Sequence, residues 1–257
     1  MKKLLAVTAA ALVALAGAFA DDDSGTVVHS FGTAFVGQTQ TLDNVDDDTA
    51  SLNSGAFNLY YNKLLVKESR FSTFRNMELG IINYSFSDYD FATRDEDFED
   101  DGYDNYISGT AFNPDSISGV NTSFLWGFGA APLNTERVIL AIHGTFGFDI
   151  GFASQSYTTT LTATSRRSST SYDFDCDFTA FNFVAQIGAN VQAAFRLGEH
   201  IGLSAGLTLS TNLTGMTFTY ASAQSEDMDV NFHHFDGFIT NFGNINADLR
   251  LGVALIY

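Results

Sequence analysis

The sequence has 257 residues, with 12 Lys or Arg against 30 Asp or Glu, and a formal net charge of −18. This acidic excess excludes electrostatic binding to nucleic acid, which needs a basic surface. The single cysteine excludes a disulfide framework and paired-cysteine metal or redox motifs. Charged residues make up only 16% of the chain, which also contains 25 Phe and 22 Gly. Soluble domains average about 25% charged residues, so this composition is unusual for a soluble protein.

Residues 1–20 have the three parts of a secretory signal peptide. Lys2 and Lys3 are basic, residues 4–17 are almost entirely apolar, and Ala18 and Ala20 supply small residues for cleavage. The apolar run is shorter than the roughly 20 residues that a membrane-spanning helix needs, so an N-terminal anchor is the weaker alternative. We therefore predict that the mature chain is secreted, periplasmic, or a β-barrel in an outer membrane.

Alternation of apolar residues with small or polar ones predicts long β-strands in the second half of the chain. The clearest runs cover residues 138–152, 181–195, 201–213 and 245–257. They exceed the 5–6 residues typical of strands in soluble proteins and suit membrane strands, which need about 9–11. Their apolar faces are bulky and their other faces small or polar, which is typical of a narrow barrel in lipid.

Four earlier segments complete the predicted set of strands, near residues 25–37, 52–64, 77–86 and 120–128. In the third of these the apolar alternation changes phase between Ile81 and Ile82, and we predict a β-bulge there. Single-chain bacterial barrels have an even number of strands, as this set does. The sequence therefore predicts an all-β protein, a transmembrane antiparallel up-and-down β-barrel of about eight strands.

The connectors between these strands alternate in length. If both ends of the barrel lie in the periplasm, the long connectors face outside, and these are residues 38–51, 87–117, 154–177 and 214–240. The shorter ones are residues 65–74, 130–136 and 197–200. Most acidic residues fall in the long connectors, whereas several basic residues flank the short ones. We therefore predict long acidic extracellular loops.

The signal peptide, the alternating strands and the aromatic C-terminus resemble the small outer-membrane β-barrels of Gram-negative-type bacteria, the OmpA, OmpX and OmpW class. The last strand resembles the C-terminal signal that those proteins present to the barrel-assembly machinery, carried here by Leu249, Leu251, Val253, Leu255 and Tyr257. In that class the final residue is usually Phe, and Tyr257 is a variant. The resemblance implies localisation in the cell outer membrane, with outer-membrane lipid and the assembly machinery as partners, and a monomer.

Polar and charged residues on the predicted inward face form a candidate lumen site. They are Glu78, His143, Asp149, Asn182, Gln186, Asn190, Asp248 and Arg250. In one interpretation they form a structural network, because unpaired buried charges are costly. In the other they line a polar path whose constriction is formed by Asp248 and Arg250. We favour the network, because eight-stranded barrels are usually filled by side chains.

The segment around residue 100 has a weak similarity to a calcium-binding loop. Asp97, Glu99 and Asp101 alternate and Gly102 follows, as at the start of an EF-hand. Ser108 stands where the EF-hand has its terminal Glu. We therefore expect a solvated acidic loop that binds divalent cations only weakly, and we expect no cofactor.

Two further features have to be weighed as signs of catalysis. Some small barrels are lipid-modifying enzymes that use His with Ser and a carboxylate, but no such spacing stands out around the five histidines, His29, His143, His200, His233 and His234. Cys176 lies between Asp175 and Asp177, and these carboxylates should raise its pKa. We therefore expect an unreactive thiol, no catalytic residue and no enzyme.

The sequence thus divides into a cleaved signal peptide, residues 1–20, and an outer-membrane β-barrel, residues 21–257. The predicted function is a structural or surface-interaction role, in which acidic loops meet divalent cations or host or matrix molecules. The alternative is a narrow porin-like channel for small solutes. A lipid-modifying barrel enzyme is a remote third interpretation.

Overall fold

The computed structural model describes residues 25–44, 49–87, 96–100, 103–108, 116–164, 169–225 and 230–257. The strands in these ranges are β1 (Thr26–Asn44), β2 (Thr49–Val66), β3 (Phe71–Ser87), β4 (Glu96–Asp100), β5 (Tyr103–Ser108), β6 (Ile117–Asn134), β7 (Val138–Thr164), β8 (Ser169–Arg196), β9 (Ile201–Ser225), β10 (Val230–Thr240) and β11 (Ile245–Ile256). No helix in the described ranges is long and apolar enough to cross a membrane. The predicted signal peptide lies outside the described residues.

Eight of the strands form a closed antiparallel ring. Its order is β1, β2, β3, β6, β7, β8, β9 and β11, and β11 pairs with β1 to close it. At the seam, Val27 and Tyr257 exchange two backbone hydrogen bonds of 3.0 and 2.9 Å. The predicted antiparallel up-and-down barrel of eight strands is therefore confirmed. At the end of the barrel opposite the C-terminus, strand β10 takes the place of β11 and pairs with β9 and β1. The β4–β5 hairpin pairs through β5 with the C-terminal end of β7.

The outward face of the ring carries a broad apolar belt. Among its exposed side chains are Phe31, Phe35, Phe57, Ile81, Val120, Phe128, Ile142, Phe146, Phe152, Ile187, Val191, Phe195, Leu203, Leu207, Leu249, Leu251 and Val253. On β6 and β7 the outward aromatic rings also contact one another, with Trp126 and Phe146 centroids 5.6 Å apart. Apolar side chains on the outside and polar ones inside are the arrangement of a barrel in lipid.

The barrel interior has three layers along its axis. We call the end with turns at residues 67–70, 135–137 and 197–200 the turn end, and the opposite end the loop end. At the turn end lies an apolar cluster made of Val28, Leu64, Val66, Ala131, Ile139, Ala141, Ala194, Ala254 and Ile256. At the loop end lies another, made of Leu42, Ala50, Leu52, Ile82, Tyr84, Ile117, Ala153, Phe178, Ala180, Ala221 and Phe238. Between these two clusters the inward side chains are mostly polar.

The predicted bulge in the third strand is wrong. Strands β2 and β3 pair without a register shift from Ser51↔Ser87 to Val66↔Ser72. Ile82 and Tyr84 instead point inward into the loop-end cluster. The apolar residues change face because the barrel interior itself changes from polar to apolar at this height, and not because the strand slips.

Several predicted connector bounds are also wrong. Strands β7 and β8 have 27 and 28 residues and pair up to Thr164↔Ser169, so most of the connectors predicted at 38–51, 154–177 and 214–240 is strand. Beyond the belt, the outward residues of β7 and β8 are Ser, Thr and Asp, which removes the apolar alternation but keeps the backbone hydrogen bonds between the strands. The connector predicted at 65–74 is a tight turn at 67–70, closed by a 2.9 Å hydrogen bond from the Arg70 N–H to the Lys67 carbonyl.

Strand β9 contains the irregularity that hid its second half from the sequence pattern. Its pairing with β8 shifts register between Ala185 and Gln186, which leaves Leu213 as an extra residue. Beyond Leu213 the outward residues are even-numbered, such as Met216 and Phe218. The bulge therefore reverses the phase of the alternation.

Candidate functional site

All eight residues predicted to line the lumen lie inside the barrel, between the two apolar clusters. Seven of them are buried, and Asp248 is the most accessible, with 16% of its side chain exposed. They come from four strands, β3, β7, β8 and β11, because alternate residues of each strand face the axis. The structure therefore brings the predicted set together, while the choice between a structural network and a polar path depends on its contacts.

Arg250 lies at the centre of this polar layer and is fully buried. Its Nε is 3.1 Å from Asp248 Oδ2 and 4.0 Å from Glu78 Oε1. Its Nη2 donates a hydrogen bond to Thr208 Oγ1. The guanidinium carbon lies 5.0 Å from the centroid of the Phe74 ring, at cation–π distance. One guanidinium is therefore shared by two carboxylates and held in place by a hydroxyl and an aromatic ring.

Glu78 is held by two asparagines as well as by the arginine. Asn58 Nδ2 donates to Oε2 at 2.9 Å, and Asn76 Nδ2 donates to Oε1 at 2.8 Å. Both carboxylate oxygens are therefore engaged. Hydrogen bonds to a charged acceptor are stronger than neutral ones, so this arrangement fixes Glu78 in a single position.

Asp149 forms the second charged centre of the layer. Its Oδ2 accepts a hydrogen bond from Gln38 Nε2 and another of 2.9 Å from Gln186 Nε2. Ser210 Oγ in turn donates to Gln186 Oε1. These side chains come from β1, β7, β8 and β9, so the chain of hydrogen bonds crosses the lumen.

His143 lies nearer the turn end and contacts the same network. Its Nδ1 is 3.4 Å from Asn190 Oδ1, and its Nε2 is 2.9 Å from Ser72 Oγ. Because an amide oxygen only accepts, Nδ1 carries a proton, whereas the serine hydroxyl can either donate to Nε2 or accept from it. The ring also stacks on Phe74, with centroids 5.5 Å apart. These contacts hold the ring in place, which fits a structural role.

A cavity of about 20 Å³ lies within the layer, enough for one guest the size of a water molecule. Its lining residues are Val36, Gln38, Glu78, Ser123, Leu125, Asp149, Gln186, Thr208, Ser210, Asn246 and Asp248. In the part of the chain that the structure describes, no three His, Cys, Asp or Glu side chains are grouped so as to hold a metal ion by themselves.

Sequence reasoning missed several members of the network, including Gln38, Asn58, Phe74 and Asn76. The two residues of β3 were missed because the third strand was predicted to begin at Met77, six residues after the true start of β3 at Phe71. Gln38 was missed because the first strand was predicted to end at residue 37. Asn58 alternates with the outward Phe57 and Leu59, and this parity alone would have placed it in the lumen.

Beyond the belt, the outward face of the β7–β8 hairpin carries a regular series of cross-strand hydrogen bonds. Three hydroxyls of β7 donate to aspartate Oδ1 atoms of β8, in the pairs Ser156–Asp177 at 2.5 Å, Thr158–Asp175 at 3.0 Å and Thr160–Asp173 at 2.8 Å. We call these six residues the hydroxyl–aspartate ladder. Such pairs between neighbouring strands stabilise a sheet.

Cys176 lies on the inward face of this hairpin and is buried. Burial, and to a smaller extent the Asp175 and Asp177 carboxylates, raise the pKa of its thiol to about 11. The sequence predicted the direction from the carboxylates, but burial is the larger cause. The pKa of the neighbouring Tyr157 is also raised, first by burial.

The remaining predicted site residues are dispersed. Leu249, Leu251, Val253, Leu255 and Tyr257 follow one another on the outward face of β11, and His200 stacks on the Tyr257 ring at 5.7 Å. Asp97 and Glu99 lie on β4, whereas Asp101 is outside the described residues. His233 pairs with the Tyr220 hydroxyl at 2.7 Å. The roles of these residues in barrel assembly and in weak ion binding remain predictions.

Comparisons with known proteins give structural neighbours only. No protein-family model matches the chain, and no curated protein matches its sequence. The outer-membrane protein OprG from Pseudomonas aeruginosa is 10% identical, with a TM-score of 0.43 over 91% of this chain and 96% of that one. A major outer-membrane protein from Thermus thermophilus is 10% identical, with a TM-score of 0.42 over 91% and 100%. The outer-membrane protease OmpT from Escherichia coli is 10% identical, with a TM-score of 0.40 over 91% and 97%.

Proposed function

We propose that this chain is an integral outer-membrane β-barrel protein with a structural or surface-interaction role, and that it is neither a channel nor an enzyme. The observation that carries the proposal is the closed ring, whose apolar side chains face outward while its polar side chains are bonded to one another inside. Burying this belt in lipid removes a large apolar surface from water. A closed barrel also leaves no backbone edge to satisfy in the hydrocarbon.

The change in outward residues along β8 supports a membrane boundary near the loop end. Outward apolar residues run from Phe195 up to Phe181, followed by Thr179 and then by Asp177, Asp175 and Asp173. Carboxylates on the lipid face are costly within the hydrocarbon and much less so at its surface. We therefore place the hydroxyl–aspartate ladder outside the membrane.

The two apolar clusters favour a closed barrel over the porin-like alternative. They lie on either side of the polar layer, and their residues are nearly all fully buried. An ion leaving the layer along the axis would have to cross packed apolar side chains, where desolvation is costly. Within the layer, Arg250 contacts Asp248 and Glu78, and Asp149 accepts hydrogen bonds from Gln38 and Gln186. These charged groups are therefore held by other side chains rather than facing an open path.

The strands that rise beyond the belt are the part best placed to meet other molecules. The ladder presents three exposed aspartates at alternate positions of one strand, and the sequence between residues 88 and 101 adds many more acidic residues. We propose that this loop-end surface contacts divalent cations or basic regions of host or matrix molecules. The other proposed partners are outer-membrane lipid and the barrel-assembly machinery, which would recognise β11. We propose that the protein is a monomer.

Labelling of introduced cysteines tests both the membrane residence and the orientation. Asp175→Cys and Gly198→Cys, each with Cys176→Ser, place one thiol on the ladder and one in the turn between β8 and β9. A membrane-impermeant maleimide should label the first variant on intact cells and the second only after lysis. Equal labelling of both on intact cells, or mature protein found wholly in the aqueous phase of a detergent extraction, would contradict the proposal.

A further inference from the structure

The cavity in the polar layer is bordered by more negative than positive charge. Glu78, Asp149 and Asp248 line it, and Arg250 is the cation that contacts two of them. His143 lies in the same layer but does not line the cavity. If the three acids are ionised, they and Arg250 together carry an excess of two negative charges, which is unfavourable in a buried site unless a cation balances it.

A second, independent observation concerns oxygens that accept no hydrogen bond. Asn246 Oδ1 and Asp248 Oδ1 are buried and take no hydrogen bond from any residue that the structure describes. Both residues line the cavity, and Asn246 is only 3% exposed. The amide nitrogen of Asn246 is already used, since it donates to Asn212 Oδ1 at 2.6 Å. Buried acceptors without donors in one cavity indicate a guest that is positively charged or that donates hydrogen bonds.

We propose that this cavity binds a single hard divalent cation of the Ca²⁺ class. The Asp248 and Asp149 carboxylates and the Asn246 amide oxygen would supply its main ligands, with hydroxyls such as that of Ser123 in reach of the same cavity. Carboxylate, amide and hydroxyl oxygens are the ligands that Ca²⁺ takes in proteins. The neutral oxygens explain why no group of three acidic side chains is needed to hold the ion.

Charge and size select among hard cations. One divalent ion balances the excess of two negative charges, whereas one Na⁺ leaves half of it. Mg²⁺ usually keeps several of its waters, and a cavity of about 20 Å³ has no room for that hydrated ion. A bare Ca²⁺, which accepts irregular coordination, is therefore the best match.

The two apolar clusters imply that such an ion exchanges slowly. It would enter as the barrel folds, when the carboxylates are still accessible, and afterwards it would be enclosed on both sides by packed apolar side chains. This distinguishes it from ions at the loop end, which contact water and are removed at once by a chelator.

Retention of calcium after refolding tests the site directly. The mature chain is refolded in detergent with CaCl₂ or with NaCl alone, passed through a column in EDTA, and its metal content is measured. We expect about one Ca²⁺ per wild-type chain, and at least a tenfold loss of retained calcium in Asp149→Asn and Asp248→Asn. The matched control changes Asp173, Asp175 and Asp177 of the ladder to Asn and should retain calcium as the wild type does.

Folding of each variant is checked by heat-modifiable migration on gels. A further variant, Asn246→Ala, removes one neutral ligand without changing the charge of the site. We expect Asn246→Ala to lose calcium faster in EDTA, and the thermal unfolding of wild type to shift upward after refolding with calcium. Wild-type protein that retains no calcium would overturn the proposal. So would retention that is unchanged in the folded aspartate variants, or equal to the NaCl sample.

Discussion

Arg250 on β11 and Glu78 on β3 meet across the lumen, with Nε and Oε1 4.0 Å apart and both side chains at most 1% exposed. Their strands are separated by β1 and β2 in the ring, so the pair links opposite parts of the wall. Water is largely excluded there, and each charge depends on the other for compensation. Substitutions at this pair therefore test how much its ionic contact stabilises the barrel interior.

Arg250→Gln should destabilise the barrel strongly. The substitution leaves Glu78 and Asp248 buried without their cation, which costs about 3–5 kcal/mol of unfolding free energy for a buried pair. Urea unfolding of the refolded protein measures the change. Arg137→Gln, at an exposed turn, should change the free energy by less than about 0.5 kcal/mol. The double variant Glu78→Gln/Arg250→Gln should lose less than Arg250→Gln alone, and a larger loss would argue against the charge interpretation.

Gly151→Ala should damage the packing of the loop-end cluster. A Cβ at residue 151 would collide with the hydroxyl of Tyr84, whose ring is nearly fully buried. Overpacking of this kind costs about 1–3 kcal/mol, again measurable by urea unfolding. Tyr84→Phe removes the colliding oxygen and should recover part of the loss in the double variant. Gly37→Ala is the matched control, since a Cβ there meets nothing within 4 Å, and a similar loss in both would rule out the packing explanation.

Cys176 should react slowly with thiol reagents in the folded protein. With the pKa of its thiol raised from 9.0 to about 11, the thiolate fraction at pH 8 falls about 100-fold, and only the thiolate attacks. Because the folded state holds this proton more tightly, reactivity should stay low through pH 9 and rise as the pH approaches 11. Labelling kinetics in folded and urea-unfolded protein measure this. Gln155→Cys with Cys176→Ser introduces a thiol at a position whose side chain is exposed, and it should react quickly. Equal rates at the two positions would contradict the buried placement of Cys176.

Tyr257 should matter more for assembly in cells than for stability. Its backbone hydrogen bonds to Val27 do not need the ring, but we expect the assembly machinery to recognise the exposed aromatic ring at the end of β11. Tyr257→Ala should therefore lower the amount of heat-modifiable barrel recovered from cell membranes several-fold, while Tyr257→Phe should not. Refolding yields in detergent provide the control, and an equal deficit there would show that the ring acts through stability alone.

The ring of strands was predictable because lipid imposes apolar residues on every second position. The runs at 181–195 and 245–257 show this over their whole length, and the residues predicted to face inward, such as Asp149 and Arg250, do so. Parity also places network members that were overlooked. Asn58 has outward Phe57 and Leu59 as its neighbours, which is enough to assign it to the lumen.

The prediction from alternating residues assumes a polar barrel interior and a constant phase along each strand, and it failed where one of these assumptions did not hold. Ile82 and Tyr84 broke the assumption of a polar interior, because the lumen is apolar at the loop end. Leu213 broke the assumption of constant phase, because the bulge there turns even positions outward. The ends of β7 and β8 that carry the ladder were missed for a third reason. In the proposed placement they lie above the lipid, where nothing requires an apolar outward face. The pairing of Arg250 with Glu78 depends on which strands face each other, which no single strand encodes.

Planar-bilayer recording on the purified, refolded protein tests the closed barrel most directly. The two apolar clusters and the bonded polar layer predict a bilayer with no discrete current steps, both for the wild type and for a control in which the ladder aspartates are changed to Asn. Discrete openings of the wild type that change in Arg250→Ala would show that the lumen conducts and would contradict the account.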